Sequence, residues 1–229
     1  MNIWAIGDLH MDNSGEKPMD VFGPKWINHE EKIFEFWKEN IKEDDLILLP
    51  GDISWALHLE DVTHDLDKIE KLKGKKIISK GNHDYWWASN NKLKGLGYKT
   101  IEFINNNSIN WKDISICGTR GWIDKSSRDF QGKDLKIFNR ELLRMENSFK
   151  SRTGEKIIAM VHYPPFNADK ELNEMGKLIV KYKPFICIYG HLHGEGHSEV
   201  VEGKFEETQF ICVSSDFIDF KAVKIWSEN

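Results

Sequence analysis

Phe185-Ile186-Cys187-Ile188-Tyr189-Gly190-His191-Leu192-His193-Gly194 joins an apolar run to a pair of imidazoles. The run reads as a buried strand bounded by glycine. Residues i and i+2 of an extended chain point to the same side, so the pair can face one ligand. Neutral imidazole is the commonest protein metal ligand. Glycines on both flanks let the backbone turn and other groups approach. Alone, such a pair is more often two exposed histidines in a loop than a metal site, and the rest of the chain shifts that balance toward metal.

The same construction recurs upstream. Residues 2–6 lead into Gly7-Asp8-Leu9-His10, and Leu46-Ile47-Leu48-Leu49 into Pro50-Gly51-Asp52. The run 76–79 leads to Gly81-Asn82-His83-Asp84, and 156–161 to His162-Tyr163-Pro164-Pro165. Ligands of open α/β sheets collect at the carboxyl ends of strands. Strands that share a sheet would therefore bring Asp8, His10, Asp52, Asn82, His162, His191 and His193 to one place.

Between these runs lie helical patterns. Ile33, Phe34, Trp37 and Ile41 share a face from about Glu30 onward. Leu59, Val62, Leu66, Ile69 and Leu72 make a second face that Gly74 ends. Residues 85–96 and 170–182 read as helices, and Leu135, Phe138, Leu142, Met145 and Phe149 form the clearest amphipathic one. Further strand-like runs fall at 99–104, 108–111 and 113–118. Residues 12–28, rich in Gly, Pro, Asp and Asn, are a loop long enough to rim a pocket. The tail from Glu199 to Trp226 reads as three or four antiparallel strands. Strand–helix alternation followed by a meander points to an α/β protein with a mixed sheet, or with two packed sheets. No linker interrupts the pattern, so residues 1–229 are expected to form a single domain.

Composition sets outer bounds. A net charge of −5 over 229 residues argues against a sequence-independent nucleic-acid binder, which needs a broad basic face. Nucleic acid stays open as a partner, because bound metals bring their own charge. Cys117, Cys187 and Cys212 lie in or beside apolar runs and form no CxxC pair, as expected for reduced, buried thiols of a cytoplasmic protein. The first residues lack a basic region and cleavage site, and no apolar run reaches membrane-spanning length, so no membrane partner is expected.

The candidate ligands are oxygen and nitrogen donors without cysteine. Such a set suits manganese, iron, zinc, nickel or cobalt better than calcium or copper(I). Seven donors are too many for one catalytic ion that keeps an open position. They suit two divalent metal ions that share a carboxylate, an arrangement that clamps both oxygens of an in-line displacement. Phosphate esters are the natural substrates of such a pair.

Asp8-Leu9-His10, Gly51-Asp52, Gly81-Asn82-His83-Asp84, His162 and Gly190-His191-Leu192-His193 resemble, in order, the motifs of the calcineurin-like metallophosphoesterases. The resemblance implies a four-layer αββα sandwich: two mixed β-sheets flanked by helices, with a dinuclear centre at one end. It implies that Asp8, His10 and His193 hold one ion, that Asn82, His162 and His191 hold the other, and that Asp52 bridges them. A hydroxide between the ions would be the nucleophile. His83 would be no ligand but would assist the leaving oxygen, a role suited to a group that titrates near neutrality.

The substrate is less sharply marked. Asp52 is followed by Ile53-Ser54-Trp55-Ala56-Leu57, without the arginine of the Val-Asp-Arg-Gly motif in the family's protein phosphatases. The extra capping segments of its exonucleases are missing, and the lipid-A branch has arginine where His83 stands. A small phosphodiester or phosphomonoester is therefore expected. The alternatives are a macromolecular substrate, as for a nuclease or protein phosphatase, or a non-catalytic scaffold. Trp55, Trp86 and Trp87 flank metal motifs, where they would either stack on substrate or pack the loops. Arg120 would clamp a phosphate or sit in a surface turn. Asp84 reads as a loop brace or helix N-cap, and His58, His64 and His197 as surface histidines, His197 being nearest the site.

Overall fold

The apolar runs become strands because both of their faces are covered. In the computed structural model, which describes residues 1–228, the first sheet is built from β1 (Asn2–Ala5), β2 (Leu46–Pro50), β3 (Lys75–Ser79) and β4 (Ile101–Ile104). These strands run parallel in the order β1-β2-β3-β4. The second sheet contains β5 (Ser108–Trp111), β6 (Ile114–Thr119), β7 (Lys156–Val161), β8 (Ile186–Tyr189), β9 (Gly203–Phe205) and β10 (Thr208–Cys212). Its order is β5-β6-β7-β8-β10-β9, with antiparallel strands only at the edges.

Side chains alternate across a strand, and here the alternation creates the layers. Leu46 and Leu48 of β2 join Ile3, Ala5 and Ile77 against Ile116, Ile158, Met160 and Ile188 of the second sheet. The intervening Ile47 and Leu49 face outward onto α1 (His29–Asn40) and α2 (Leu59–Glu70), through Ile33, Trp37, Val62, Leu66 and Ile69. On the opposite side, Ala159, Val161, Cys187 and Tyr189 meet Met145 and Phe149 of α4 (Asp134–Lys150) and Ile179 and Val180 of α5 (Glu174–Lys181). The result is the expected helix–sheet–sheet–helix stack. Each fully buried Leu or Ile in it contributes about 1.5–3 kcal/mol of apolar transfer.

The second helix stops at Glu70, short of Leu72 and of the expected stop at Gly74, which instead makes the turn into β3: it has φ +82°, and a Cβ there would lie 2.8 Å from the Asp45 carbonyl oxygen. Lys76, the second residue of β3, then reaches back with its ammonium to the Glu70 and Leu72 carbonyls and to Thr100 Oγ1 at 3.0 Å. It caps the carbonyl end of α2 from within the core.

Two expectations need correction. The segment 85–96 is helical only in α3 (Asn90–Gly95), because Asp84 and Trp86 hold the preceding residues in a loop. The tail is not an antiparallel meander. β10 runs parallel to β8, β9 pairs antiparallel with β10, and β11 (Val223–Ser227) crosses to the first sheet beside β1. Periodicity marks strands, but unpaired edges elsewhere in the fold choose their partners. No helix among the described residues is long and apolar enough to cross a membrane.

Candidate metal centre

The motif residues leave their strands abruptly. Asp8 (φ 59°), His10 (φ 46°), Asp52 (φ 51°) and His191 (φ 76°) all adopt left-handed backbone, an uncommon state for non-glycine residues. Such strain persists where the surroundings over-determine the conformation. Gly81 and Gly190 allow the packing around these turns. A Cβ on Gly81 would overlap Asp52 Oδ1, and one on Gly190 would overlap Asp8 Oδ2.

The turns gather donor atoms into two adjoining groups. In the first, His193 Nε2 lies 3.3 Å from Asp8 Oδ1 and 3.4 Å from His10 Nε2. In the second, Asn82 Oδ1 lies 2.6 Å from His162 Nε2 and 2.9 Å from His191 Nδ1. Asp52 Oδ2 stands between them, 3.8 Å from His10 Nε2 and 3.4 Å from His162 Nε2. Asp8 with His10 and His193, and Asp8 with Asp52 and His162, each present donor atoms within 4.8 Å of one another and are able to hold a metal ion.

The surrounding hydrogen bonds fix which ring nitrogen faces inward. His162 Nδ1 is 3.0 Å from the Pro50 carbonyl, which only accepts, so Nδ1 carries the proton and Nε2 turns a lone pair toward Asn82 and Asp52. His193 Nδ1 donates to Asp216 Oδ1 at 2.7 Å, and Nε2 faces Asp8. Carboxylate and carbonyl partners of this kind set the tautomer of metal-ligating histidines.

Burial pushes His10 down to about 4 and His191 down to about 3. Burial alone would lower His162 and His193 too, but nearby carboxylates lift them to about 8 and about 10. Asp52 and Asp8 drive the rise at His162, while Asp8 and Asp216 drive it at His193. Asp8 and Asp52 are themselves held below the usual carboxylate range by these histidines, against the effect of burial. The buried carboxylates thus hold protons on His162 and His193, the mark of a centre that demands compensating positive charge, and the oxygen–nitrogen donor set fits divalent metal ions that would displace those protons.

Asp84 is a brace. Fully buried, it accepts from Gly81 N at 2.7 Å, Asp52 N and Ile53 N at 2.9 Å, and the Trp86 indole at 3.0 Å. One carboxylate thus ties the Asp52 turn to the Asn82 turn. Burial and the Asp52 charge push it up to about 6, with the donors opposing them.

His83 lies outside both donor groups. Its backbone N–H donates to Asp52 Oδ1 at 2.8 Å, and its ring sits 4.4 Å from Trp55, centroid to centroid. Burial lowers its pKa, and its Nδ1 has no hydrogen-bond partner. With His10, His193, Met19, Trp26 and Trp55 it lines a cavity of about 210 Å³.

The other candidates separate. Trp55 stacks on His10 at 5.0 Å and belongs to the cavity. Trp86 does not: it is 2% exposed, bonded to Asp84 and packed beside Trp87. Its role is therefore loop packing and not contact with substrate. Arg120 is neither in this cavity nor on the surface, for it lies over Trp122 at 4.2 Å and 3.7 Å from Glu141. His58 and His64 are exposed. His197 Nε2 comes within 3.1 Å of Asp216 Oδ2.

Asp216 was not foreseen. Its carboxylate orients His193, and its Oδ2 accepts from Gly194 N at 3.1 Å. The adjacent Ser215 hydroxyl donates to the Asp8 carbonyl at 2.7 Å. The signal was present: β10 is another apolar run that ends in polar residues, Ser214-Ser215-Asp216. Trp26, which the sequence marks only as part of a loop, is 4% exposed and lies 5.5 Å from His193, centroid to centroid.

The chain belongs to the calcineurin-like phosphoesterase family, whose model matches residues 1–195. That match contains both donor groups and stops short of Asp216. The family is, in general terms, one of metal-dependent phosphoester hydrolases. No curated protein matches the chain. Among solved structures, a protein of unknown function from Aquifex aeolicus, AQ665, is similar over 97% of this chain and 94% of its own, with 17% identity and a TM-score of 0.54. At that identity it shows the shared fold. GAP50, the anchor in the inner membrane complex of Plasmodium, matches 94% of this chain and 72% of its own at 15% identity and a TM-score of 0.49.

Proposed function

We propose that the protein hydrolyses a small phosphodiester or phosphomonoester at a centre of two divalent metal ions. Asp8, His10 and His193 would hold the first ion, Asn82, His162 and His191 the second, and Asp52 both. The observation that carries this reading is the place of Asp52 Oδ2, which faces His10 Nε2 at 3.8 Å and His162 Nε2 at 3.4 Å. Two bound ions would supply a water of lowered pKa and would screen charge on the phosphoryl oxygens.

The chain's own residues do the rest. Asp216 and the Pro50 carbonyl engage the outer nitrogens of His193 and His162, so that the inner ones face the centre. Asp84 keeps the Asp52 and Asn82 turns in register. His83, in the cavity wall with its Nδ1 unpartnered, would give a proton or hydrogen bond to the leaving oxygen. Trp26, Trp55 and Met19 exclude water and receive an apolar portion of substrate. A cavity of about 210 Å³ suits a small leaving group better than a polymer. Three buried, unpaired cysteines favour a reducing compartment such as the cytoplasm.

The test is hydrolysis of bis-p-nitrophenyl phosphate by the manganese-loaded protein, abolished in Asp52→Asn. Full activity in Asp52→Asn, or none with any divalent metal, would refute the proposal.

A further inference from the structure

A second cavity, of about 540 Å³, opens beside the metal centre and shares none of its ligands. Lys80, Arg120, Arg140 and Arg144 line it around a single acid, Glu141. Glu141 is 1% exposed. It accepts from Thr119 Oγ1 at 2.6 Å and Arg144 at 2.8 Å, with Arg140 Nε at 3.4 Å and an Arg120 nitrogen at 3.7 Å. Lys80 makes no ion pair among the described residues. Four cations thus surround one carboxylate in a protein whose net charge is −5. Arg120 Nε and the Trp87 indole nitrogen, both on lining residues, are buried without acceptors.

Two of the four cations are fixed in place. Arg120 is clamped over Trp122 at 4.2 Å, and Arg144 is held by Glu141. Cations forced together over one buried acid repel one another unless an anion joins them. Guanidinium forks match the oxygens of a phosphate, whereas a divalent cation would be repelled. The cavity also lies at the carboxyl edge of the sheets. Lys80 follows β3, two residues before Asn82, and the Arg120 carbonyl after β6 accepts the His162 N–H at 3.0 Å.

We propose that this basic cavity binds a phosphate group of a small molecule, at a site separate from the metal centre. The claim of binding does not rest on the catalytic reading. Whether that phosphate belongs to the substrate itself does rest on it, so the two are tested separately.

Inorganic phosphate, titrated calorimetrically into metal-loaded protein, should reveal two classes of site. Lys80→Gln with Arg140→Gln should weaken one class at least tenfold, with unchanged metal content and thermal midpoint. Arg140→Gln alone provides a variant that leaves Glu141 its bonds from Thr119 and Arg144, and it should weaken the same class. Raising salt from about 50 to 200 mM should also weaken that class. A single class that disappears with the metal, or a second class unmoved by these variants, would overturn the proposal. The source of the phosphate follows from kcat/KM for a nucleoside bisphosphate relative to the matching monophosphate. A ratio that falls at least tenfold in the double variant assigns the bound phosphate to the substrate. An unchanged ratio, with the phosphate class lost, assigns it to a separate ligand.

Discussion

Replacing Asp216 by asparagine isolates the support of His193. The carboxylate offers Oδ1 to His193 Nδ1 at 2.7 Å and Oδ2 to Gly194 N at 3.1 Å. An asparagine has one acceptor oxygen for these two donors. If its oxygen meets His193, its NH₂ opposes the Gly194 N–H. If it flips, NH₂ faces Nδ1, and His193 must move its proton to Nε2, the nitrogen that faces Asp8. Exchanging a charge-assisted bond for a neutral one loses about 1–2 kcal/mol. Losing the orienting partner of a metal-bound histidine typically costs about 10–100-fold in affinity. Asp216→Asn should therefore weaken the ion held through His193 by about tenfold or more. The ion assigned to Asn82, His162 and His191 should bind as before. Chelator competition, with metal content measured after each step, separates the two affinities. Equal affinities in Asp216→Asn and the unaltered protein, or equal weakening of both ions, would refute this reasoning.

His83→Ala should retain both ions but lower kcat about 10²–10⁴-fold, and loss of metal there would show the histidine to be a ligand. His191→Ala and His193→Ala should each leave one ion, but different ones. If both lose the same ion, by metal count and by competition, the division of the His-Leu-His pair is wrong. Lys76, buried beneath α2, is pulled down to about 8 from 10.5 chiefly by burial. Between those values the unfolded chain binds more protons, so this group makes stability rise with pH. Relative to Lys76→Met, the protein should gain about 2 kcal/mol from pH 8 to pH 10 in urea unfolding. A pH-independent difference would refute the shift.

The sequence alone determined what depends on neighbouring residues. Ile47 and Leu49 alternate with Leu46 and Leu48, so β2 was legible as a strand covered on both faces, and the polar motif at its end followed directly. The convergence of Asp8, His10, Asp52, Asn82, His162, His191 and His193 was readable because each follows such a run within a few residues. A break near Gly74 was readable because only glycine tolerates that backbone between Ile47 and Asp45, although the helix itself ends earlier, at Glu70.

Tertiary structure decided what depends on residues distant in the chain. Asp216 meets His193 only because β10 pairs parallel to β8, and no periodicity specifies that neighbour. Trp86 and Trp55 both flank metal motifs, yet Asp84 draws one indole into the core while His10 stacks on the other. The cations of the second cavity come from a loop after β3, the end of β6 and one face of α4. Local pattern fixes which way a side chain leaves its own backbone. Which groups it then meets is fixed by sheet order and register, and those are settled by the packing of the whole chain.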